Sequence, residues 1–204
     1  MTRLILASKS PRRKKLLEKM GLTFDVIPSR IEEITDPELL PEEVVKSLSG
    51  QKAVSVAEHE TDAVIVAADT LVVHSGDILG QPSDEKEAVA MLQKLSGTSH
   101  YVHTGVTILR TDRAGRIERR VQFCERTKVM FAALSSYEIE MYVRSGSPLD
   151  KAGAYGIQDD LGAVFVSGIE GDFYNVVGLP VHRFYQHMKE MAPEMLIKAR
   201  TSHD

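Results

Sequence analysis

Residues 63–73, AVIVAADTLVV, limit what this chain can fold into more than any other stretch. The run is short, strongly apolar and rich in β-branched residues, which suits a strand buried on both faces, or a bent strand pair, better than a helix. Asp69 interrupts it. An ionised carboxylate at the end of a buried strand needs a cation, a metal or several hydrogen-bond donors to offset its desolvation. Ligands of α/β sheets gather beyond the carboxyl ends of the strands. A carboxylate there can bind Mg²⁺ or act as a general base; its plainer role is to cap the next element.

Other segments supply neighbours for that strand. Residues 3–7 (RLILA) read as a second buried strand. Ser10-Pro11 then opens a helix, with serine as N-cap and proline in the first turn, and Gly21 closes it. A further strand is expected at 24–28 and an acidic loop at 29–40. A helix is expected from Pro41 to about His59, with a break at Ser49-Gly50. A helix over 84–95 precedes two strands at 99–111 and 116–131, joined by a turn at Ala114-Gly115. Ser135 to Glu138 forms a capping box for a helix to about Arg144. Gly146 to Asp160 reads as glycine-rich loop, 163–167 as a strand, 172–191 as mostly helix, and the tail beyond Pro193 as frayed. Strands mixed with helices around a long hairpin predict an α/β fold: a mixed, twisted central sheet flanked by helices. With no repeat or linker in view, one domain over 1–204 is expected.

Composition narrows the function. The net charge of −4 argues against a general nucleic-acid binder. No apolar run approaches the roughly 20 residues of a membrane span. The start of the chain lacks the pattern of a secretory signal. The single cysteine, Cys124, excludes an internal disulfide framework and reads as a buried thiol. These features point to the cytoplasm. The charge is uneven. Arg3, Lys9, Arg12, Arg13, Lys14, Lys15 and Lys19 face only Glu18 in residues 1–20, whereas 29–43 is acidic. That pattern suits an anion site beside a metal or general base; on charge alone, two solvated faces explain it as simply.

The segment Ser8-Lys9-Ser10-Pro11-Arg12-Arg13 gives the anion reading more weight. Arginines in a first helical turn sit against the positive end of the helix dipole, and a bound phosphate reverses that penalty. No Walker P-loop is present. The loop from Asp150 to Gln158 has small residues for close backbone approach, with Lys151 and Gln158 as polar contacts. Asp172 and Asn175 read as helix-capping groups. His100 and His103, three apart on a strand, point to opposite faces and make poor metal ligands.

Together these segments resemble the Maf family of nucleotide pyrophosphatases, once described as septum formation proteins. S-x-S-P-R-R is matched by Ser8, Ser10, Pro11, Arg12 and Arg13. The family's acidic residue is matched by Glu33, its x-K-A lysine by Lys52, and its D-T pair by Asp69 and Thr70. The Y-V-x-S-G-x-P-x-D-K-A-G-A-Y-G-I-Q stretch runs from Tyr142 to Gln158, and V-x-G-L-P from Val176 to Pro180. The resemblance extends to about residue 190. It implies hydrolysis between the α- and β-phosphates of a nucleoside triphosphate. It further implies a divalent cation (Mg²⁺ or Mn²⁺), a homodimer, and a two-lobed fold like that of inosine triphosphatase with the active site in the cleft.

By the same resemblance Asp69 is the proton acceptor, with Lys52 and Glu33 in the catalytic set and Asp69 and Glu33 as metal ligands. Ser8, Arg13, Gln81 and Lys151 contact substrate. Arg12, Thr70 and Gln158 match positions tied to base choice in the dTTP/UTP branch; the methylated-GTP branch replaces the threonine. One departure stands out. The family usually carries G-K-P after the D-T strand, and this chain has Gly80-Gln81-Pro82. Lys86 or Lys151 could replace the missing cation. A non-catalytic nucleotide-binding regulator of division is the alternative reading, and Gln81 is its best support.

Overall fold

The computed structural model describes residues 2–198. The strands are β1 (Arg3–Leu6), β2 (Asp25–Val26), β3 (Ala63–His74), β4 (Asp77–Leu79), β5 (Ser99–Thr111), β6 (Ile117–Phe131) and β7 (Val166–Glu170). They form one seven-stranded sheet in the order β2-β1-β3-β5-β6-β7, with β4 paired on β3. β1 runs parallel to both β2 and β3, whereas β4 and β7 pair antiparallel, so the sheet is mixed. The apolar run is indeed a strand: Ala63 to Ala68 are buried without interruption, and burial eases at Asp69.

The helices are α1 (Pro11–Lys19), α2 (Pro41–Ala57), α3 (Glu85–Leu95), α4 (Ser136–Arg144), α5 (Asp160–Phe165), α6 (Phe173–Val177), α7 (Val181–Met191) and α8 (Pro193–Lys198). α2 runs through Ser49-Gly50 without the expected break. Gly50 is buried, and a Cβ there would lie 2.9 Å from the Gln122 side chain. The glycine thus lies inside the helix and does not stop it. Beneath it Ser49 Oγ lies 2.9 Å from Thr107 Oγ1, and Gln122 Nε2 donates to the same hydroxyl at 3.0 Å.

Three further expectations need correction. The strand read at 163–167 lies at Val166–Glu170, because Ala163 to Phe165 complete α5. The glycine-rich loop contains two short 3-10 turns, Ser147–Asp150 and Ala152–Ala154. The tail after Pro193 begins with α8, where Arg110 donates to the Met191 carbonyl at 3.0 Å and to Glu194 at 2.9 Å. The frayed end expected beyond residue 198 lies outside the described residues.

The chain forms two compact units. The first takes the segments up to Asp69, Thr104–Cys124 and from Gly178 on. Its core packs Ala53, Val56 and Ala57 of α2 against Ile5, Ala63, Ile65, Ala67 and Leu109 of the sheet. The second comprises Thr70–His103 and Glu125–Val177. It centres on aromatic rings in edge-to-face contact: Phe131 with Tyr155 at 4.7 Å, and Tyr142 with Phe165 at 5.2 Å between centroids. Among the described residues no helix is long and apolar enough to cross a membrane.

Candidate active site

The first unit gathers the basic and acidic residues singled out above. β1 ends at Leu6, and Ser8 follows in the turn, 8% exposed. The turn is shaped locally: Ser8 Oγ accepts from the Ser10 amide at 3.2 Å, and Ser10 Oγ caps α1 by accepting from the Arg13 amide at 3.4 Å. No acidic residue occupies the first turn of α1. The helix start therefore presents amides, hydroxyls and two guanidinium groups.

Arg13 is held at both ends of its guanidinium. Nε donates to the Gly178 carbonyl at 2.9 Å, and Nη1 donates to Ser8 Oγ at 3.2 Å. Burial lowers its pKa from the ordinary arginine value, and Arg12 lowers it further; Asp69 and Glu33 pull it back up. A guanidinium starts so high that it stays charged. Arg13 is thus a fixed cation within the field of two carboxylates.

Those carboxylates meet on Lys52 of α2. Its ammonium lies 2.5 Å from Asp69 Oδ1 and 2.9 Å from Glu33 Oε1. The Lys52 and Asp69 side chains are 16% and 13% exposed, so solvent screens this pair weakly. Glu33, 44% exposed, sits on a loop with no regular structure, and a neighbouring residue pins it. Gln51 binds the backbone of Ile34 at both ends: Oε1 accepts from the Ile34 amide at 3.1 Å, and Nε2 donates to the Ile34 carbonyl at 2.7 Å. The side-chain amide stands in for a strand partner. Sequence reading missed both this clamp and the Gly178 contact, because nothing local marks a contact across 17 or 165 residues.

Hard carboxylate oxygens suit Mg²⁺ or Mn²⁺, and a Mg²⁺ site commonly takes one or two protein carboxylates plus substrate phosphates. Asp69 and Glu33, drawn to one point by Lys52, fit that donor chemistry. No cluster of three or more His, Cys, Asp or Glu side chains able to hold a metal ion occurs among the described residues. His100 and His103 are both buried in β5. Cys124 is half-buried, not fully buried as expected, and its carbonyl accepts from Arg183 at 2.8 Å.

The remaining candidates, apart from Arg12 on α1, belong to the second unit. Thr70 follows Asp69 directly along β3. Gln81 is exposed, and its Nε2 donates to the Asp150 carbonyl at 3.2 Å. Lys151 is buried at 6% exposure, and its ammonium is fully engaged within its own loop. It donates to the Ser147 carbonyl at 2.5 Å and pairs with Asp150 Oδ1 at 2.7 Å and Asp159 Oδ2 at 3.5 Å. Gln158 Nε2 donates to Asp159 Oδ2 at 3.0 Å. Asp172 caps α6, accepting from the amides of Tyr174 at 2.7 Å and Asn175 at 3.2 Å. Asn175 is buried and donates to the Val102 carbonyl at 3.0 Å, a structural role.

Solved structures place this architecture in a known fold class. The chain matches a HAM1 protein from Coxiella burnetii with a TM-score of 0.52, at 13% identity, over 95% of this chain and 100% of that one. It matches the Staphylococcus aureus Ham1 protein with a TM-score of 0.53, at 13% identity, over 93% and 100%. Identity that low defines the fold alone: an open mixed sheet flanked by helices.

The sequence is more particular. The profile described as Maf-like protein matches residues 3–191, and the chain belongs to that family. Among its relatives are proteins named dTTP/UTP pyrophosphatase from Bacillus cereus (strain AH820) and Bacillus thuringiensis subsp. konkukian (strain 97-27). Each is 48% identical over 190 residues, covering 93% of this chain and 96% of the relative. A dTTP/UTP pyrophosphatase of Bacillus anthracis matches at the same identity and coverage.

Proposed function

We propose that this chain hydrolyses nucleoside triphosphates, dTTP and UTP in preference, between the α- and β-phosphates, releasing the nucleoside monophosphate and pyrophosphate. One observation carries the reading: Lys52 draws the carboxylates of Asp69 and Glu33 together beside a helix start bearing Arg13 and Ser8. Membership of the Maf-like family and relatives named dTTP/UTP pyrophosphatase supply the substrate class.

In this mechanism the N-terminus of α1, Ser8 and Arg13 hold phosphate oxygens. Arg13 arrives already positioned by Gly178, so little orientational entropy remains to be lost. Asp69 takes a proton from the attacking water, and the bond broken is the anhydride between the α- and β-phosphates. Lys52 holds the Asp69 carboxylate in place through their ion pair, and its ammonium is assigned to phosphate contact when substrate enters. Asp69 and Glu33 would hold the divalent cation, which when bound neutralises developing negative charge on the phosphates. Arg12, Thr70 and Gln158 are assigned to base selection, and Gln81 to a neutral hydrogen bond where the family has lysine. We further propose that the chain works as a cytoplasmic homodimer and a single functional domain, on the strength of the family resemblance.

The deciding measurement is product analysis with purified protein, UTP or dTTP, and Mg²⁺ or Mn²⁺. Equal amounts of pyrophosphate and nucleoside monophosphate are expected. Release of orthophosphate would overturn the bond assignment. Tight UTP binding with no product would favour a non-catalytic regulator.

A further inference from the structure

A primary amide offers a donor and an acceptor on one edge, so Gln158 alone can pair with uracil in one orientation and with cytosine in the other. The structure contains a device that removes this freedom. Gln158 Nε2 donates to Asp159 Oδ2 at 3.0 Å, and that same oxygen lies 3.5 Å from the buried Lys151 ammonium. A carboxylate paired with a cation can only accept. Turning the Gln158 amide over would set its oxygen against the Asp159 oxygen and leave two acceptors facing each other.

The pair is also fixed from below. A Cβ on Gly156 would lie 2.7 Å from Asp159 Oδ2 and 2.8 Å from Lys151 Cε, so the two side chains pack directly over the space that the glycine leaves open. The Gly156 amide donates to the Tyr142 hydroxyl at 3.1 Å, and the Asp159 amide donates to the Gly156 carbonyl at 3.1 Å. Lys151 is anchored independently by the Ser147 carbonyl and Asp150.

We propose that Asp159, held by Lys151, sets the base preference by fixing which way the Gln158 amide faces. This rests on the reading above that Gln158 meets the base. With one Nε2 hydrogen committed to Asp159, the opposite edge offers Oε1 as acceptor and the second Nε2 hydrogen as donor, in a fixed order. Uracil and thymine supply the complement, an N3–H donor beside an O4 acceptor. Cytosine inverts both groups and would need the forbidden orientation. Asp159 and Lys151 are positioning residues in this step, since they act on the base through Gln158.

The test compares kcat/KM for CTP and UTP in the parent, Asp159→Asn and Asp159→Glu. Asparagine can donate as well as accept, so it tolerates both orientations. The CTP-to-UTP ratio should rise about tenfold in Asp159→Asn and stay near the parent value in Asp159→Glu. In a Gln158→Ala background, Asp159→Asn should no longer move the ratio. Circular dichroism checks folding, and Asp159→Ser carries the same expectation should the asparagine variant misfold. A parent that prefers UTP, with an unchanged ratio in both Asp159→Asn and Asp159→Ser, overturns the lock and leaves the dTTP/UTP reading standing. A parent without preference for UTP or dTTP over CTP overturns both.

Discussion

At Lys52 a single ammonium pairs with two carboxylates, and the proposed chemistry gives the two different tasks. Asp69 lies closer to the ammonium and is the less exposed of the two, and it is the proposed proton acceptor. Asp69→Asn keeps the shape and removes the basicity. Turnover of UTP should fall by about 10²–10⁴, the usual range for loss of a general base. UTP binding by calorimetry should persist, and near-normal turnover by folded variant protein would refute the assignment. Gln81 tests the missing cation. Lys151 is engaged by Ser147, Asp150 and Asp159, which leaves Lys86, exposed on α3, as the other candidate for that charge. Gln81→Lys should raise kcat, and an unchanged kcat would mean that the charge is supplied elsewhere or is not needed in this chain. Asp69 and the arginines of α1 stood out as candidates in the sequence because each breaks a local rule, whereas Glu33 and Lys52 came only from the family resemblance. Asp69 sits in an apolar run, and arginines sit where a helix start disfavours them. Gln51 and Asp159 break no such rule. Their roles exist only through the partners that folding brings to them.

At the scale of elements, α2 carries both Lys52 and Gln51, and its distance from the sheet is set by one glycine. A Cβ on Gly105 of β5 would fall 2.3 Å from the Val45 carbonyl carbon and oxygen and 2.7 Å from the Lys46 nitrogen. These are backbone atoms of α2, so no side chain can move aside. Gly105→Ala should destabilise the fold by about 1–3 kcal/mol, the range for overpacking a well-packed interface. It should also lower kcat, since α2 must shift with Lys52, a member of the proposed catalytic set. Urea unfolding and steady-state kinetics on one preparation would check both, and a variant with parental stability would show that α2 yields freely. Helices with strong start signals were readable: Ser10 caps α1, and Ser135 with Glu138 forms the box on α4. β7 was misplaced by three residues because Val164 and Phe165 carry strand propensity yet end a helix, with Phe165 buried against Tyr142. Tertiary packing overrode local preference there.

For the whole molecule, three separated segments make one unit and two make the other, an arrangement that local patterns cannot announce. The second unit's core also holds a titratable group that the reading of β5 treated only as a poor metal ligand. His100 is 1% exposed, its Nε2 lies 2.7 Å from the Tyr155 hydroxyl, and its ring packs edge-on against Phe131. Burial, with a smaller push from His74, lowers its pKa from 6.5 to about 4. The Tyr155 hydroxyl is itself driven upward by burial and so remains a donor to a neutral imidazole. With Nε2 accepting, the neutral ring carries its proton at Nδ1, so protonating His100 would place the extra N–H at Nε2, where the Tyr155 hydroxyl loses the acceptor it donates to. The unfolded chain takes up this proton near pH 6.5, while the folded protein resists until about pH 4. In that window the unfolded state binds more protons, so stability is fully present above pH 6.5 and declines as the pH falls. The loss approaches about 3 kcal/mol at the acid end, from a shift of about 2.5 units at about 1.36 kcal/mol each. His100→Gln removes the titration, although it lowers stability at neutral pH through poorer packing. The stability advantage of the parent over His100→Gln, measured by urea unfolding, should therefore shrink by about 3 kcal/mol between pH 7.5 and pH 4. Parallel curves for the two proteins across that range would mean that His100 is not held neutral in the core.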